Sequence, residues 1–409
     1  MAAEMTVATA HTTPSTASAQ RRVSVLGATG SIGLNTLDLI GRDSAAYDVV
    51  ALTANRNAEA LARLAIAHRA ETAVVADESQ YEALKAALSG SGVEAAAGLQ
   101  AVVEAAAQPA DWIMAAITGA AGLRPTFEAA AQGTRIALAN KECLVSAGEV
   151  FMAAVASAGT MLLPVDSEHS GAFQAIDDGS ADGIERIVLT ASGGPFRDWP
   201  MDRLAAATPE QALQHPNWSM GAKITVDSAT LMNKGLELIE AYHLFPVAPE
   251  QLGVVIHPQS ILHCLVEYAD GSVIAQLSCP DMRTPIAYSL TWPNRMQTPT
   301  ERLDLAKLGQ LTFETPDVAR FPALRIAQDA LAAGGCAPTV LNAADEVAVD
   351  AYLQGRIGFA SIPALVEATL DASEQSVGRH LPSTLDDVLE IDYAGRALAL
   401  SLLPKFNKT

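Results

Sequence analysis

The sequence predicts an α/β protein whose first domain is a doubly wound parallel sheet, followed by an α+β domain and a C-terminal helical bundle. Three observations support this prediction. Short β-rich runs alternate with amphipathic Ala/Leu-rich stretches over residues 22–164, which is typical of βαβ units. After residue 164 the loops lengthen. After residue 321 only helical periodicity remains, which is typical of a bundle.

In the first region, runs of β-forming residues predict strands at 23–26, 49–52, 72–76, 112–115, 135–139 and 161–164. Between them, apolar residues spaced three and four apart predict helices, including 58–68, 81–88 and 124–131. Because helices separate successive strands, we expect a parallel sheet with helices on both faces.

In the second region we predict strands at 187–190, 223–226, 254–257, 263–268 and 272–277, with a helix near 229–242. Several prolines between 293 and 316 predict a linker, and the last region predicts helices at 323–332, 339–353, 361–372 and 385–402. The predicted units are a disordered tail at 1–21, domains at 22–164, 165–295 and 321–409, and a linker at 296–320.

Charge and cysteine usage exclude several classes of protein. The 409 residues include 26 Lys and Arg against 46 Asp and Glu, a formal net charge of −20, so we expect neither nucleic acid nor an anionic membrane surface as a partner. No apolar run reaches about 18 residues, so no transmembrane helix is predicted. The four cysteines show no CxxC spacing and the N-terminal tail lacks a signal-peptide core, which indicates a cytoplasmic protein with reduced thiols.

The turn after the first predicted strand has three glycines, Gly27, Gly30 and Gly33, in the sequence GATGSIG. Such glycines let the backbone approach a pyrophosphate, which the N–H groups of the following helix stabilise. The spacing is a variant of the commoner GxGxxG, and a glycine-rich turn without a ligand is the alternative. In its strand-to-helix context the turn predicts a Rossmann-like dinucleotide site.

The end of the second strand indicates which dinucleotide binds. A carboxylate there would hold the ribose hydroxyl of NAD, whereas this chain has Asn55, Arg56 and Asn57. An arginine suits the 2′-phosphate of NADPH, although an exposed arginine on a loop is the alternative. The loops at 117–119 and 140–142 follow strands of the same sheet and should also face the ligand crevice.

Two carboxylates, Asp166 and Glu168, lie two residues apart in VDSEH, on one side of a segment that we predict to be extended. Glu237 can supply a third carboxylate from a later segment. Three oxygen ligands suit Mg²⁺ or Mn²⁺ rather than zinc. Taken alone, VDSEH is also a commonplace acidic loop, and the phosphate-type groups nearby favour the metal site.

Residues 215–237, HPNWSMGAKITVDSATLMNKGLE, are unusually rich in polar side chains. Asn233 and Glu237 are four apart and share one helix face beside Lys234. An amide, an ammonium and the hydroxyls of Ser192 and Ser228 suit a phosphate group. A solvated helix face with a Lys–Glu pair is the alternative.

The stretch 192–220 has turn-rich ends and tryptophans, which predicts either a lid over a small polar substrate or a static surface excursion.

The motifs GATGSIG, LANKE, LPVDSEH, SGGPF, HPNWSMG, VDSATLMNKGLE, HPQS and PDMRTP occur together and in this order. The chain thereby resembles the 1-deoxy-D-xylulose 5-phosphate reductoisomerase family, from about residue 23 to the C-terminus. The resemblance implies an NADPH-binding domain, a catalytic domain and a helical C-terminal domain. Cys143 and Ala191 depart from the residues common in the family, and neither has a ligand role in this interpretation.

The resemblance also implies a role for individual residues. The divalent metal, Mg²⁺ or Mn²⁺, would be held by Asp166, Glu168 and Glu237. The substrate would contact Ser167, Glu168, Ser192, His215, Trp218, Ser228, Asn233, Lys234 and Glu237. NADPH would contact Gly27, Thr29, Gly30, Ser31, Ile32, Gly33, Asn55, Arg56, Asn57, Asn140, Lys141, Glu142, Gly221 and Met282. The expected catalytic residues are Lys141, Glu168, His215, Lys234 and Glu237.

The implied reaction is metal-dependent isomerisation and NADPH-dependent reduction of 1-deoxy-D-xylulose 5-phosphate to 2-C-methyl-D-erythritol 4-phosphate, in isoprenoid precursor biosynthesis. The implied partner is a small phosphorylated sugar, and the implied assembly is a homodimer. Two alternatives remain. An NADP-dependent semialdehyde dehydrogenase would need an activated cysteine, and a non-catalytic NADPH-sensing protein would have no use for the three carboxylates.

Overall fold

The computed structural model describes residues 20–176, 183–376 and 381–407. The predicted disordered tail lies outside these residues except for its last two, and the first strand begins at Arg21. The strands are β1 Arg21–Leu26, β2 Tyr47–Ala54, β3 Thr72–Val75, β4 Glu94–Ala97, β5 Trp112–Ala115, β6 Arg135–Leu138, β7 Met161–Pro164, β8 Ile184–Ala191, β9 Leu252–Ile256, β10 Leu262–Tyr268 and β11 Val273–Leu277.

The helices up to the end of the second sheet are α1 Ser31–Arg42, α2 Ala58–Ala67, α3 Tyr81–Ala87, α4 Leu99–Ala106, α5 Leu123–Ala130, α6 Glu142–Val145, α7 Gly148–Ala158, α8 Ser167–Ala175, α9 Met201–Ala205, α10 Pro209–Ala212, α11 Ala222–Thr230 and α12 Met232–Leu244. The later helices are α13 Arg283–Thr291, α14 Leu305–Leu308, α15 Ala323–Ala333, α16 Ala337–Leu353, α17 Ser361–Ser376 and α18 Leu385–Leu402. Short 3-10 turns lie at Glu78–Gln80, Ala120–Gly122, Pro249–Gln251 and Leu403–Phe406.

The first sheet is parallel and has seven strands in the order β4-β3-β2-β1-β5-β6-β7. The chain order reverses between β1 and β5, so the loops after these two strands diverge and leave a crevice at the carboxyl edge. Packing there is tight, since a Cβ at Gly27 would lie 2.5 Å from the carbonyl oxygen of Ala116. The predicted α/β class and the parallel sheet are confirmed.

Strand β4 was not predicted from the sequence. Its residues, Glu94 to Ala97, are Glu-Ala-Ala-Ala, and alanine and glutamate are depleted in strands. Residues 72–75 of β3 pair with it in register, so β4 exists because an open edge of the sheet accepts it. Propensity is overridden here by tertiary pairing.

The second sheet has four strands in the order β11-β10-β8-β9, with β10 antiparallel to β8 and β11 and with β8 parallel to β9. Helix α12 packs against this sheet, and α8 packs against β10 and β11. The prediction of a strand at 223–226 was wrong, because these residues lie in α11. The β-branched side chains of residues 224–226 favour a strand, but α11 packs on α12 and α16, and Lys223 contacts both Asp227 one turn later and Asp345 of α16.

The helix predicted near 229–242 is divided in two. Leu231 adopts a left-handed conformation with φ of 65°, which ends α11 and begins α12. Residues 323–402 contain the four predicted C-terminal helices, α15 to α18. Helix α12 packs closely on α15, where a Cβ at Gly235 would lie 2.4 Å from the Cβ of Ala327. The predicted linker runs along the second sheet, includes the short α14, and pairs Glu314 with Ile256.

Helix α13 returns to the first sheet after β11. Its Ile286 and Leu290 are buried in the core cluster of β1 and β2, and Trp112 Nε1 donates to the Ser289 carbonyl at 3.1 Å. The four cysteines form no disulfide. Across the three described ranges, we find no helix with the length and apolar character needed to cross a membrane.

Candidate active site

A cavity of about 160 Å³ lies where the first sheet, α8, α11, α12 and the 192–220 segment meet. Of the predicted site residues it is lined by Ser31, Ile32, Lys141, Asp166, Ser167, Glu168, Ser192, His215, Trp218, Gly221, Ser228, Asn233, Lys234, Glu237 and Met282. All predicted metal and substrate residues are therefore brought together in one place. Lining residues without a predicted role include Asn35, Ser219, Met220, Ile224, Ser260 and His263.

Two of the carboxylates enter the cavity from the carboxyl end of β7. The prediction of an extended segment was wrong here, because Asp166 immediately precedes α8 and Glu168 lies in the first turn of that helix. Carboxylates are favoured at this position, since the N-terminal end of a helix carries a partial positive charge. Both side chains still line the same cavity, because both residues follow closely after the end of β7.

The other polar groups come from the first turns of α12. The left-handed residue Leu231 directs the chain so that Asn233, Lys234 and Glu237 share one face, as the spacing predicted. The Asn233 side-chain amide donates to Glu237 Oε1, and Lys234 forms an ion pair with the same carboxylate. Lys234 and Glu237 are buried, with side chains 3 % and 1 % exposed, so the alternative of a solvated helix face is excluded.

The acidic groups and two lysines form one network. Lys234 Nζ lies 2.7 Å from Glu168 Oε1. Lys141, from the loop after β6, pairs with Asp166 and lies 3.6 Å from Glu237 Oε1. Burial would raise the pKa of Glu168, but Lys234, His263 and hydrogen bonds outweigh it and lower that pKa to about 2. Burial would lower the pKa of Lys234, but Glu168 and Glu237 raise it above its ordinary value. Burial likewise opposes the charge on Lys141, but Glu240 and Glu237 raise its pKa above the ordinary value, so both lysines stay charged.

The donor set fits a hard divalent cation. One oxygen from each of Asp166, Glu168 and Glu237 lies within 4.8 Å of the others, and Mg²⁺ and Mn²⁺ prefer oxygen ligands. Among the residues that the structure describes, the buried Asn233 Oδ1 has no hydrogen-bond partner, which leaves an acceptor for a further group at the same place.

The sequence interpretation missed two buried groups of this network. Asp166 also forms a compact group with His169 and Glu240, and Glu240 Oε2 lies 3.2 Å from Lys141 Nζ. Burial, opposed by Lys141, raises the pKa of Glu240. Glu240 is three residues after Glu237 on α12, and helical spacing was the available signal. His169 was missed because the segment was taken as extended rather than helical.

The opposite wall of the cavity carries hydroxyls and an imidazole. The ring nitrogen His215 Nδ1 faces the backbone N–H groups of Asn217 and Trp218, at 3.2 and 3.0 Å. It must accept from them, so the proton of the neutral ring lies on Nε2. That nitrogen is 2.9 Å from Ser192 Oγ and donates to it. Burial lowers the pKa of His215 to about 4, so the ring is neutral at pH 7.

The end of the predicted lid is attached to the second sheet. Asn217 Nδ2 donates to the Pro258 carbonyl at 2.6 Å and to Ser260 Oγ at 3.0 Å, which links the HPNWSMG and HPQS motifs. The Trp218 ring lies 6.2 Å from that of His263. At its start, the segment is held by Arg320, which donates to the carbonyls of Arg197 and Trp199. The segment is thus anchored at both ends around α9 and α10.

The glycine turn is shaped for a close approach of the backbone. Gly27 has φ of 89°, and a Cβ at Gly33 would lie 2.4 Å from the Gly27 carbonyl oxygen. No side chain caps the N-terminus of the 12-residue helix α1, so its free N–H groups are available to an anion. Ser31 and Ile32 line the cavity, which places this turn beside the acidic network.

The remaining predicted cofactor residues lie outside the cavity lining. Arg56 follows β2, is 72 % exposed and contacts Asp77 at 2.8 Å, whereas Asn57 Oδ1 caps α2 by accepting from the Ala60 N–H. Asn140 and Glu142 are buried and bonded to each other at 2.7 Å. Their side chains support the loop that carries Lys141 rather than facing the cavity. Asn55, Gly27, Thr29 and Gly30 lie on the loops at the same sheet edge, and Gly33 lies in the first turn of α1.

Family models match most of the chain. Residues 23–148 match 1-deoxy-D-xylulose 5-phosphate reductoisomerase, residues 162–245 match its C-terminal domain, and residues 277–398 match the DXP reductoisomerase C-terminal domain. Curated relatives with the same name are 57 % identical over 383 residues in Rhodospirillum centenum, covering 94 % of each chain, and 53 % identical over 389 residues in Bradyrhizobium diazoefficiens, covering 95 % of this chain and 96 % of the relative.

Solved structures agree with the sequences. The Zymomonas mobilis 1-deoxy-D-xylulose 5-phosphate reductoisomerase in complex with NADPH superposes with a TM-score of 0.89 at 53 % identity, covering 94 % of this chain and 99 % of that one. A DOX-P reductoisomerase in complex with NADPH, fosmidomycin and magnesium gives a TM-score of 0.89 at 39 % identity, covering 94 % and 98 %. The chain therefore belongs to the 1-deoxy-D-xylulose 5-phosphate reductoisomerase family, whose reaction is the NADPH-dependent conversion of 1-deoxy-D-xylulose 5-phosphate to 2-C-methyl-D-erythritol 4-phosphate.

Proposed function

We propose that the cavity is the single site in which this chain isomerises and reduces its sugar phosphate substrate. One observation supports this proposal: three convergent carboxylates, several phosphate-type groups and the start of α1 all line the same cavity. These are the three kinds of group needed for a divalent metal, a phosphorylated substrate and NADPH. Magnesium and NADPH are present in solved relatives.

Asp166, Glu168 and Glu237 would hold the metal, Mg²⁺ or Mn²⁺, which as a Lewis acid would polarise the substrate oxygens. NADPH would supply the hydride, with its phosphates at Gly27–Gly33 and its 2′-phosphate at Arg56. Thr29, Gly30, Ser31 and Ile32 belong to the same turn, and the flanking Asn55 and Asn57 shape the loop of Arg56. Gly221 and Met282 line the cavity and would cover the nicotinamide side, together with the Lys141 loop that Asn140 and Glu142 support.

Ser192, Ser228, Asn233 and Lys234 would bind the substrate phosphate. They form a local polar site in a chain with a net charge of −20, and Lys234 remains charged because Glu168 and Glu237 surround it. His215 would donate from Nε2 toward Ser192 and the phosphate while its Nδ1 holds the lid backbone. Ser167 would contact the substrate's backbone oxygens. Closure of Trp218 over the substrate would exclude water during the rearrangement.

The buried ammonium of Lys141 would hold positive charge beside the reacting oxygens, since it contacts Asp166, Glu237 and Glu240. The Glu168 carboxylate forms an ion pair with Lys234 and accepts a hydrogen bond from Ser167 Oγ. We assign no general base among these groups.

The dehydrogenase alternative receives no support from the cysteines. Cys143 and Cys264 are buried, and burial raises the pKa of each thiol, which disfavours the thiolate that an acyl-forming nucleophile requires. No cysteine lines the cavity along the described residues. The NADPH-sensing alternative leaves the buried carboxylates without a role.

The deciding experiment is NADPH absorbance decay with 1-deoxy-D-xylulose 5-phosphate, with Mg²⁺ or Mn²⁺ and again with EDTA. We expect decay that requires the metal. A folded protein that binds NADPH but gives no metal-dependent decay would overturn the proposal. Decay that persists in EDTA would leave the reaction in place and remove the metal site.

Three organisational features belong to the same proposal. We place the NADPH-binding domain at 22–164, the catalytic domain at 165–295, the linker at 296–320 and the helical domain at 321–409. A cytoplasmic location fits the cysteine usage and can be tested by fractionating cells.

A homodimer fits the open edge of β11, where Val273 and Ile274 are 51 % and 47 % exposed. Sedimentation should show a dimer, and Ile274→Lys should shift it toward monomer, whereas an unchanged distribution would exclude this edge.

A further inference from the structure

A second buried ionic cluster lies behind the wall of the cavity, where α11 meets α16. Lys223 Nζ donates to Asp227 Oδ2 at 2.6 Å and to Asp345 Oδ2 at 2.8 Å. The two aspartate side chains are 2 % and 0 % exposed. None of these three residues lines the cavity, and the proposed reaction uses none of them.

The cluster has more acidic groups than cations. Besides Asp227 and Asp345, Glu142 of α6 lies close enough to influence Lys223 electrostatically. The next acidic group on α16, Glu346, is already paired with Arg396 of α18 at 2.6 Å. Asp227 and Asp345 therefore share one ammonium, and two adjacent buried carboxylates with one cation would leave an uncompensated charge.

One shared proton removes this excess charge. The second oxygens of the pair, Asp227 Oδ1 and Asp345 Oδ1, are both buried and accept no hydrogen bond from any residue within the described ranges. A proton on one carboxyl group would let it donate to the other, as in other carboxyl pairs. In agreement, burial and the neighbouring Asp345 raise the pKa of Asp227 well above its ordinary range, against the effect of Lys223.

The cluster lies next to a residue of the cavity wall. Asp227 is adjacent to Ser228, which lines the cavity, and Lys223 lies in the first turn of α11 directly after the lid. Asp345 belongs to α16 of the C-terminal helical region. Through Lys223, which also bonds to Asp227, Asp345 links α11 to a different part of the chain.

We propose that Asp345 is a positioning residue for the phosphate site. It shares one proton with Asp227, and Lys223 donates a hydrogen bond to both carboxyl groups. This inference rests on the proposed role of Ser228 in binding the substrate phosphate. It assigns to the C-terminal helical region a direct part in substrate affinity.

The test compares Asp345→Asn with Asp345→Ala in the full-length protein. The asparagine amide can donate to Asp227 as a protonated carboxyl group does and leaves the total charge unchanged, so KM for the substrate should stay within about twofold. The alanine variant removes the contact, and KM should rise roughly tenfold or more with a smaller change in kcat. The Kd for NADPH, measured by fluorescence, should be unchanged in both variants.

A direct readout of the proton is the infrared carbonyl stretch of a protonated carboxyl group at neutral pH. The wild-type minus Asp345→Asn difference spectrum should show the loss of one such band, since Asp227 becomes an ionised partner of Lys223. A purely structural role for Asp345 would not remove this band. If Asp345→Ala fails to fold, the asparagine variant decides alone, through its KM and this spectrum.

Ser228→Ala separates this inference from the proposed function. If Ser228→Ala leaves KM unchanged, the phosphate assignment is wrong, and the effect of Asp345 on that site falls with it. If Ser228→Ala raises KM but Asp345→Ala does not, the phosphate assignment stands and the positioning role is refuted. If Asp345→Asn raises KM as much as Asp345→Ala, the pair does not share a proton.

Discussion

His215 connects the lid to the phosphate site, and two substitutions can separate its two functions. Its Nδ1 accepts from the N–H groups of Asn217 and Trp218, and its Nε2 donates to Ser192 Oγ. Asparagine can place an acceptor near the position of Nδ1 but does not reach Ser192. Glutamine can place a donor near Nε2 but leaves the two lid N–H groups without their acceptor.

The hydrogen bonds give the magnitude. Each is worth about 1 kcal/mol net, so removing all three in His215→Ala should cost about 3 kcal/mol of transition-state binding. Since about 1.4 kcal/mol is tenfold, kcat/KM should fall roughly 140-fold. His215→Asn should lose mainly the Ser192 contact and raise KM, whereas His215→Gln should lose mainly the lid contacts and lower kcat/KM further.

The assay is steady-state NADPH oxidation with saturating metal, combined with thermal unfolding to check the fold. His68→Ala is the matched control, because burial also lowers the pKa of this imidazole and it lies at the far end of α2. If His215→Ala retained kcat/KM within about threefold of wild type, the three hydrogen bonds would not stabilise the transition state. Asparagine and glutamine variants with the same kinetics as the alanine variant would show that the two ring nitrogens do not have separate functions.

Three further predictions concern the metal, the cofactor and pH. Glu237→Gln removes one anionic ligand and should raise the metal concentration for half-maximal rate about 10- to 100-fold; normal kinetics at low Mg²⁺ would exclude this ligand. Arg56→Glu should lower the preference for NADPH over NADH roughly 10- to 100-fold. The control Arg63→Glu makes the same charge change on α2 and should leave this preference unchanged. An unchanged NADPH-to-NADH preference in Arg56→Glu would show that Arg56 does not contact the 2′-phosphate. The pKa of His215 is about 4, below the ordinary 6.5. The contribution of its neutral ring to the free energy of unfolding is therefore complete above pH 6.5 and is lost as the pH falls toward 4. An NMR titration of His215 with a midpoint near pH 6.5 would contradict this prediction.

The fold class and most elements could be predicted from local patterns. Alternating strands and helices in residues 22–164, and the 3.6-residue periodicity after residue 321, are properties of short windows and are reproduced in the structure. The failures have a common cause. Residues 224–226 have β-branched side chains but form a helix that packs on α12 and α16 and is joined to α16 by Lys223 and Asp345, and Glu94 to Ala97 form a strand only because a neighbouring edge accepts them.

The ordered motifs were enough to name the three carboxylates, the phosphate-type groups and both lysines of the candidate site, but not the lining residues Asn35, Ser219 and Ser260. How these groups act on one another follows from the folded arrangement. Lys234 contacts Glu168, His215 contacts Ser192, and Lys223 contacts Asp345, and each of these contacts joins residues far apart along the chain. Charge states and hydrogen-bond directions depend on such through-space neighbours and on exclusion of water, and neither is a property of the local sequence.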